Sequence, residues 1–356
     1  MTLSNKNILL ISPEPWNHVF VSKHHYAVNL SKKGNKVFFL NPPSSSKYKI
    51  TNSRYEDLFI INYSGFVKGL RFLPTWLQRY FISIKFNNLQ KLCGVNFDIV
   101  WSFDNSVFFD FYALPEKVLC ISHIVDLNQD FNTRQAATTA KVCFGVIPDI
   151  VERLFMYNTN TYLITHGVNL SEYSSNIVTL PGTNGIKALY VGNLAMPFID
   201  WDLLQQAVIS QPKTDFIFLG SNMDFVPEPF KSYENTYILE AVPPAELWSY
   251  LNAADILMLA YSEEYYVTYA SPHKFWQYLA VGKPIITSYT KEYLPFEDLI
   301  YMARTSESWC QLIGEVIENL TNHNTEDLIL ARKSLAADNS YERKIQEVEK
   351  CLTEIL

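Results

Sequence analysis

The sequence has no apolar run of about 18 residues, the length a helix needs to cross a membrane. Its opening, Met1 to Ser12, holds one short apolar run, too short for the core of a secretion signal and better read as a first strand. The five cysteines, Cys93, Cys120, Cys143, Cys310 and Cys351, are scattered, odd in number and without C-x-x-C spacing. That argues against a disulfide framework and a zinc site, and it fits a reducing compartment. No G-x-G-x-x-G follows the first strand, so the dinucleotide fingerprint is missing. The chain also lacks a basic excess. With a net charge of −7 it does not carry the footprint of a nucleic-acid binder. The expected location is the cytoplasm, free or attached to the inner face of the cell membrane.

What is present is a globular composition, 48% hydrophobic and 18% charged over 356 residues. That length suits two domains of roughly 150 to 180 residues better than one core. Aromatics are abundant, with 22 Tyr and 23 Phe, which points first to bulky core packing.

Along the chain, short apolar strands alternate with amphipathic helices. Asn7 to Ser12 reads as a strand, Val21 to Lys33 as a helix stopped at Gly34-Asn35, and Lys36 to Leu40 as the next strand, ended by Asn41-Pro42-Pro43. This is a βαβ opening of a doubly wound parallel sheet. Ile99 to Ser102, Lys117 to Ser122 and Phe144 to Ile147 continue it as strands buried on both faces. Residues 169–185 are rich in Ser, Asn, Gly and Pro and read as a linker between domains 1–168 and 186–338. The second domain repeats the alternation from Lys187 to Ser288. The last segment, 339–356, carries an amphipathic helix with Ile345, Val348, Leu352 and Ile355 on one stripe.

One segment carries more than fold. Ser271-Pro272-His273-Lys274-Phe275-Trp276-Gln277-Tyr278-Leu279-Ala280-Val281-Gly282-Lys283-Pro284 resembles the P-x-K-x-x-E-Y-L-A-x-G-K-P motif of GT-B glycosyltransferases. Tyr190-Val191-Gly192-Asn193, Asp200 to Leu204 and Asn339-Ser340-Tyr341 fall where that resemblance expects the first donor-domain strand, the following helix and the start of the final helix. The resemblance implies a GT-B architecture, with two Rossmann-like domains facing a central cleft. The N-terminal domain would bind acceptor and the C-terminal domain the nucleotide sugar, with the last helix returning to the N-terminal domain. It implies a hexosyltransferase-type enzyme with a uridine nucleotide as the default donor, and no cofactor or metal.

The chemistry of that segment is coherent. Ser271 can cap a helix whose free N–H groups and positive dipole end attract a diphosphate. Lys274, one turn in, adds a full charge for the leaving group. Gly192, Asn193, His273 and Glu263 complete the expected donor contacts. Retaining members resembling this chain carry glutamate where Gln277 stands, and a second acid where Tyr269 stands. A basic pair after their first donor-domain strand is replaced here by Met196-Pro197-Phe198. The K-x-x-Q arrangement is similar to the xanthan glucuronosyltransferase type of exopolysaccharide enzyme, which inverts.

Inversion needs a base for the acceptor hydroxyl. Asp126, just past the strand that ends near Ser122, is the first candidate, His123 the second and Asp130 the third. The loop Pro13 to His25 offers Trp16 for stacking on a sugar and His18 and His24 for acceptor contact. Its histidines have no familiar metal-ligand spacing. Leu58 to Phe97 contains no acid but has Lys68, Arg71, Arg79, Lys85 and Lys91 among many aromatics. It reads either as an interfacial segment on anionic lipid or as a helix packed on the sheet. A retaining transferase and a non-catalytic nucleotide-sugar-binding subunit are the competing functions.

Overall fold

The computed structural model describes residues 1–18, 20–44, 48–126, 132–262, 264 and 274–355. The chain forms two compact units. Met1–His166 joins Tyr341–Leu356 in the first, and Gly167–Ser340 makes the second.

The first unit is built on an eight-stranded sheet. Its strands are β1 (Asn7–Ile11), β2 (Lys36–Leu40), β3 (Lys49–Asn52), β4 (Leu58–Asn62), β5 (Ile99–Ser102), β6 (Leu119–Ile124), β7 (Val142–Gly145) and β8 (Thr161–Leu163), in the order β3-β4-β2-β1-β5-β6-β7-β8. All pairs are parallel except β3 with β4. Each of β1, β5, β6 and β7 is buried along almost its whole length, which explains their mostly apolar sequences. The helices of this unit include α1 (Ser22–Lys32), α2 (Thr75–Cys93), α3 (Thr133–Thr139) and α4 (Pro148–Phe155). Gly34 takes a φ of +84° just past α1, the left-handed turn that lets the chain reverse into β2.

The second unit holds six parallel strands, β9 (Ile186–Asn193), β10 (Thr214–Ser221), β11 (Thr236–Glu240), β12 (Ile256–Leu259), β13 (Ile285–Ser288) and β14 (Tyr301–Ala303). Their order is β11-β10-β9-β12-β13-β14. Among its helices are α5 (Trp201–Ser210), α6 (Glu228–Ser232), α7 (Pro244–Ala253), α8 (Lys274–Val281), α9 (Ser306–Glu318), α10 (Leu320–His323) and α11 (Glu326–Asp338). Buried Arg332 on α11 donates to the carbonyls of Gly282, Leu299 and His323, so one cation stitches three chain reversals together. Residues 169–185 belong to this unit, where Asn252 holds the carbonyls of Ser174 and Asn176.

Helix α12 (Tyr341–Ile355) completes the first unit. It buries Tyr341, Ile345, Val348 and Leu352, and its Glu349 accepts from the N–H of Leu3 and pairs with Lys33.

The acid-free window is not one segment. It begins as β4, a central strand, and continues through a 3-10 turn at Leu70–Phe72 into α2. Two of its five cations serve the fold. Arg79 Nε donates to buried Asp110 at 2.9 Å, and Lys85 Nζ donates to the carbonyls of Ser64 and Gly65.

Candidate functional site

Each sheet has one point where the strand order reverses, and in such sheets ligands bind outside the strand carboxyl ends at that point. In the second unit it lies between β9 and β12. Strand β9 ends in Gly192 and Asn193, paired in register with Gly220 and Ser221 of β10. The two glycines are a close-packed pair. A Cβ on Gly220 would stand 1.8 Å from the carbonyl oxygen of Gly192. Asn193 turns its Oδ1 to the N–H of Ala195 at 3.1 Å and to Asn222 Nδ2 at 2.7 Å, fixing the loop that leaves the sheet.

Helix α8 leads into β13, a strand parallel to its neighbours, so the start of α8 sits at the carboxyl edge of the sheet. Tyr278 seats this helix. Its hydroxyl accepts from the N–H of Val191 at 2.9 Å, just beyond the last β9–β12 pair, Tyr190 with Met258. One turn earlier, Lys274 is half-buried, and its Nζ donates to Gln277 Oε1 at 3.1 Å. Burial lowers the Lys274 pKa from 10.5 to about 8. Ser271, His273 and Glu263 lie outside the described residues. Glu264 is exposed.

In the first unit the reversal lies between β1 and β5, and the two strands end alike. Ser12 Oγ accepts from the N–H of Glu14 and donates to its carbonyl. Ser102 Oγ does the same for Asp104. These serine turns carry two carboxylates past the sheet edge. Asp126 follows β6, the next strand along. Its pKa is raised from 3.8 to about 6, chiefly by burial. Lys23 works against that shift and Glu14 works with it. Lys23 sits at the start of α1, nearly inaccessible to solvent, with Nζ 2.5 Å from Glu14. Glu14, Lys23 and Asp126 are therefore one electrostatic group.

His123 differs from its expected place. It lies within β6, wholly buried, with its ring stacked on Phe103 at 4.7 Å and on Trp101 at 6.1 Å. Trp101 Nε1 donates to its Nδ1 at 3.3 Å, and burial lowers its pKa to about 3. A side chain enclosed in this way packs among the rings of Trp101 and Phe103. Asp130 lies outside the described residues.

His24 also differs. It is fully buried, accepts from the N–H of Val21 at Nδ1 and donates from Nε2 to the carbonyl of Pro15. Those two partners define its tautomer, and burial lowers its pKa to about 4. Stacked between Phe20 and Phe39, it holds the loop in shape from inside. Trp16 is half-buried, edge-on to Phe20 and Phe39, and its backbone N–H donates to Asn41 Oδ1 at 2.8 Å. His18 is exposed.

Glu14, Lys23, Asp104 and Gly220 were not singled out from sequence. Glu14 had a signal, standing between two prolines directly after a strand. Lys23 had one too, a cation in the first turn of a helix, where the dipole disfavours it. Gly220 ends an apolar strand like many others, and only the approach of Gly192 explains it. Among the described residues no cluster of three or more His, Cys, Asp or Glu side chains is placed to hold a metal.

No protein-family model matches the chain, and no curated protein matches its sequence. Solved structures do match it along nearly its whole length. A glycosyltransferase from Rickettsia africae superposes with a TM-score of 0.73 at 14% identity, covering 99% of this chain and 98% of the other. The sucrose-phosphate synthase of Thermosynechococcus elongatus gives 0.71 at 13% identity, covering 98% and 99%. HepE of Anabaena, in a complex with UDP, gives 0.68 at 12% identity, covering 98% and 100%. The fold is the GT-B fold of glycosyltransferases.

Proposed function

We propose that this chain is a GT-B glycosyltransferase of hexosyltransferase type, moving a sugar from a UDP-linked donor to a glycan or lipid-linked saccharide in surface polysaccharide synthesis, with inversion. The observation that carries the reading is the seat of α8. Tyr278 docks that helix on the strand ending in Asn193, and the first turn presents Lys274 with Gln277 at the switch point of the sheet. A lysine charge beside a helix start suits a diphosphate leaving group, and Gln277 supplies an amide for a sugar hydroxyl or phosphate oxygen. The UDP complex of the Anabaena neighbour supports a uridine nucleotide.

In this reading the acceptor hydroxyl oxygen attacks the anomeric carbon of the donor. Asp126 takes the hydroxyl proton, the bond from carbon to phosphate oxygen breaks, and the nucleoside diphosphate leaves with its new charge facing Lys274. Lys23 and Glu14 tune the proton affinity of Asp126 in opposite senses, the cation lowering it and the carboxylate raising it. Ser271, His273, Asn193 and Glu263 complete the donor contacts, and Trp16 and His18 face the acceptor. A base with a pKa near 6 is ionised at neutral pH and still accepts a proton from the reacting hydroxyl. The amide at Gln277, as in the xanthan glucuronosyltransferase type, favours inversion over a mechanism built on glutamate at that position.

Asp126→Asn is expected to abolish transfer while leaving UDP binding intact by calorimetry. Lys274→Ala is expected to lose UDP binding. Full turnover in the Asn variant would remove Asp126 from the chemistry. Proton NMR of the product's anomeric centre then separates inversion from retention. Donor binding without transfer across a broad acceptor panel would make the chain a binding subunit.

A further inference from the structure

The outer stripe of α2 carries apolar groups where a monomer's surface ordinarily carries charge. Phe72 is 77% exposed, Trp76 69% and Tyr80 58%. Trp76 and Tyr80 are one helical turn apart, and Ile84 follows on the same stripe. The opposite face holds Gln78, Ile82, Phe86 and Leu89 against the unit's core. The helix is therefore already seated, and its aromatic stripe is a second apolar face.

Charge decides what that face suits. Lys68 and Arg71 are both exposed in the turn leading into α2, and the Arg71 guanidinium lies 4.6 Å from the centre of the Phe72 ring. No acid occurs between Leu58 and Phe97, although the whole chain is net negative. Arg79, next to Tyr80 in sequence, leans over the ring of Tyr112, itself 64% exposed. Arg79, Tyr112 and exposed Arg134 line an open hollow of about 510 Å³ together with Asp110, whose carboxylate pairs with Arg79 there. Large exposed aromatics flanked by Lys68 and Arg71 match a surface of buried acyl chains and anionic headgroups. A second copy of this chain would bring the same cations against themselves, an isologous contact with like charges opposed.

We propose that the first unit docks on an anionic phospholipid surface through Phe72, Trp76 and Tyr80, with Lys68 and Arg71 at the headgroups. This deepens the acceptor side of the proposed function by placing the chain where a lipid-linked acceptor resides. Its test needs neither donor nor turnover, so each can fail without the other.

The experiment is flotation of the full chain with vesicles of phosphatidylglycerol and phosphatidylcholine mixed, and of phosphatidylcholine alone. Expected is recovery with the anionic vesicles, falling at least fivefold when salt is raised or when phosphatidylcholine is used alone. The double variant K68Q/R71Q and the triple variant F72S/W76S/Y80S are each expected to lose most of that recovery. Arg79 is left intact because it pairs with buried Asp110, and unchanged thermal unfolding of the variants checks their fold. Tryptophan quenching by brominated anionic lipid is expected in the parent and reduced in Trp76→Phe. Equal recovery of parent and both variants overturns the proposal, as does absence of binding to any vesicle. A concentration-dependent dimer that the triple variant dissolves, with no vesicle binding, would assign the face to a second copy instead.

Discussion

The hydroxyl of Tyr278 accepts the backbone N–H of Val191 at 2.9 Å, tying the second turn of α8 to the strand that ends at Asn193. The bond continues the edge of β9 after its pairing with β12 has stopped. Tyr278→Phe is expected to leave that N–H buried without a partner, costing roughly 1–3 kcal/mol. Because the same bond sets where Lys274 lies, UDP affinity is expected to fall severalfold. Urea unfolding and calorimetry read the two effects, and a destabilised variant with parental affinity would separate the anchor from the site.

Two pKa values bracket the working range. In the proposed reaction Asp126 acts as base in its ionised form, and burial raises its carboxyl to about 6. Lys274 must be charged to hold a diphosphate, and its ammonium sits at about 8. The pH profile of kcat/KM for transfer is therefore expected to be a bell, rising through about 6 and falling through about 8. Lys274→Arg keeps its charge well above that range and is expected to move the falling limb upward. An unmoved limb would mean another group titrates there.

The same carboxyl has a stability consequence of definite sign. Its folded pKa of about 6 lies above the ordinary 3.8, so the folded chain binds this proton more tightly than the unfolded chain does. Its stabilising contribution is complete below about pH 4 and is lost as pH rises through about 6. Asp126→Asn removes the titration. The variant's stability, relative to the parent, is expected to improve between about pH 4 and about pH 6, and a pH-independent difference would count against the burial described.

Gly220→Ala places a methyl carbon against the Gly192 carbonyl, 1.8 Å away in the parent backbone. The paired ends of β9 and β10 must separate, so the expected outcome is weakened UDP binding with the rest of the sheet retained. Amide exchange over Val191 to Asn193 checks it directly, since only that strand end is expected to lose protection.

Arg332 lies buried among the carbonyls of Gly282, Leu299 and His323. Arg332→Met fills much of its volume but leaves those acceptors empty. A loss of roughly 3 kcal/mol is expected, measured by urea unfolding. A near-neutral result would mean water replaces the guanidinium.

The regular parts of this fold were legible because burial wrote them. Lys36 to Leu40 and Ile99 to Ser102 read in sequence as they stand in the structure. Elements at the margins were not. Strands β3 and β8 are short and partly exposed, with polar residues that do not alternate clearly. The pairing of Lys274 with Gln277 was legible because their spacing of one helical turn is itself the geometry. The acceptor side was less so. His123 and His24 looked functional by residue type, yet type does not tell whether a ring faces solvent or the core. Glu14 and Lys23 are nine residues apart in sequence and meet only because Ser12 turns the chain back.

Helix α12 belongs to the unit that begins at Met1, while everything from Gly167 to Ser340 forms the other. A ribosome therefore delivers the whole second unit before it delivers the residues that close the first. Until then Leu3 lacks the carboxylate of Glu349, and Ser22 lacks the hydroxyl of Tyr341. The nascent first unit must wait with one flank open, so the unit begun first in synthesis is the one finished last.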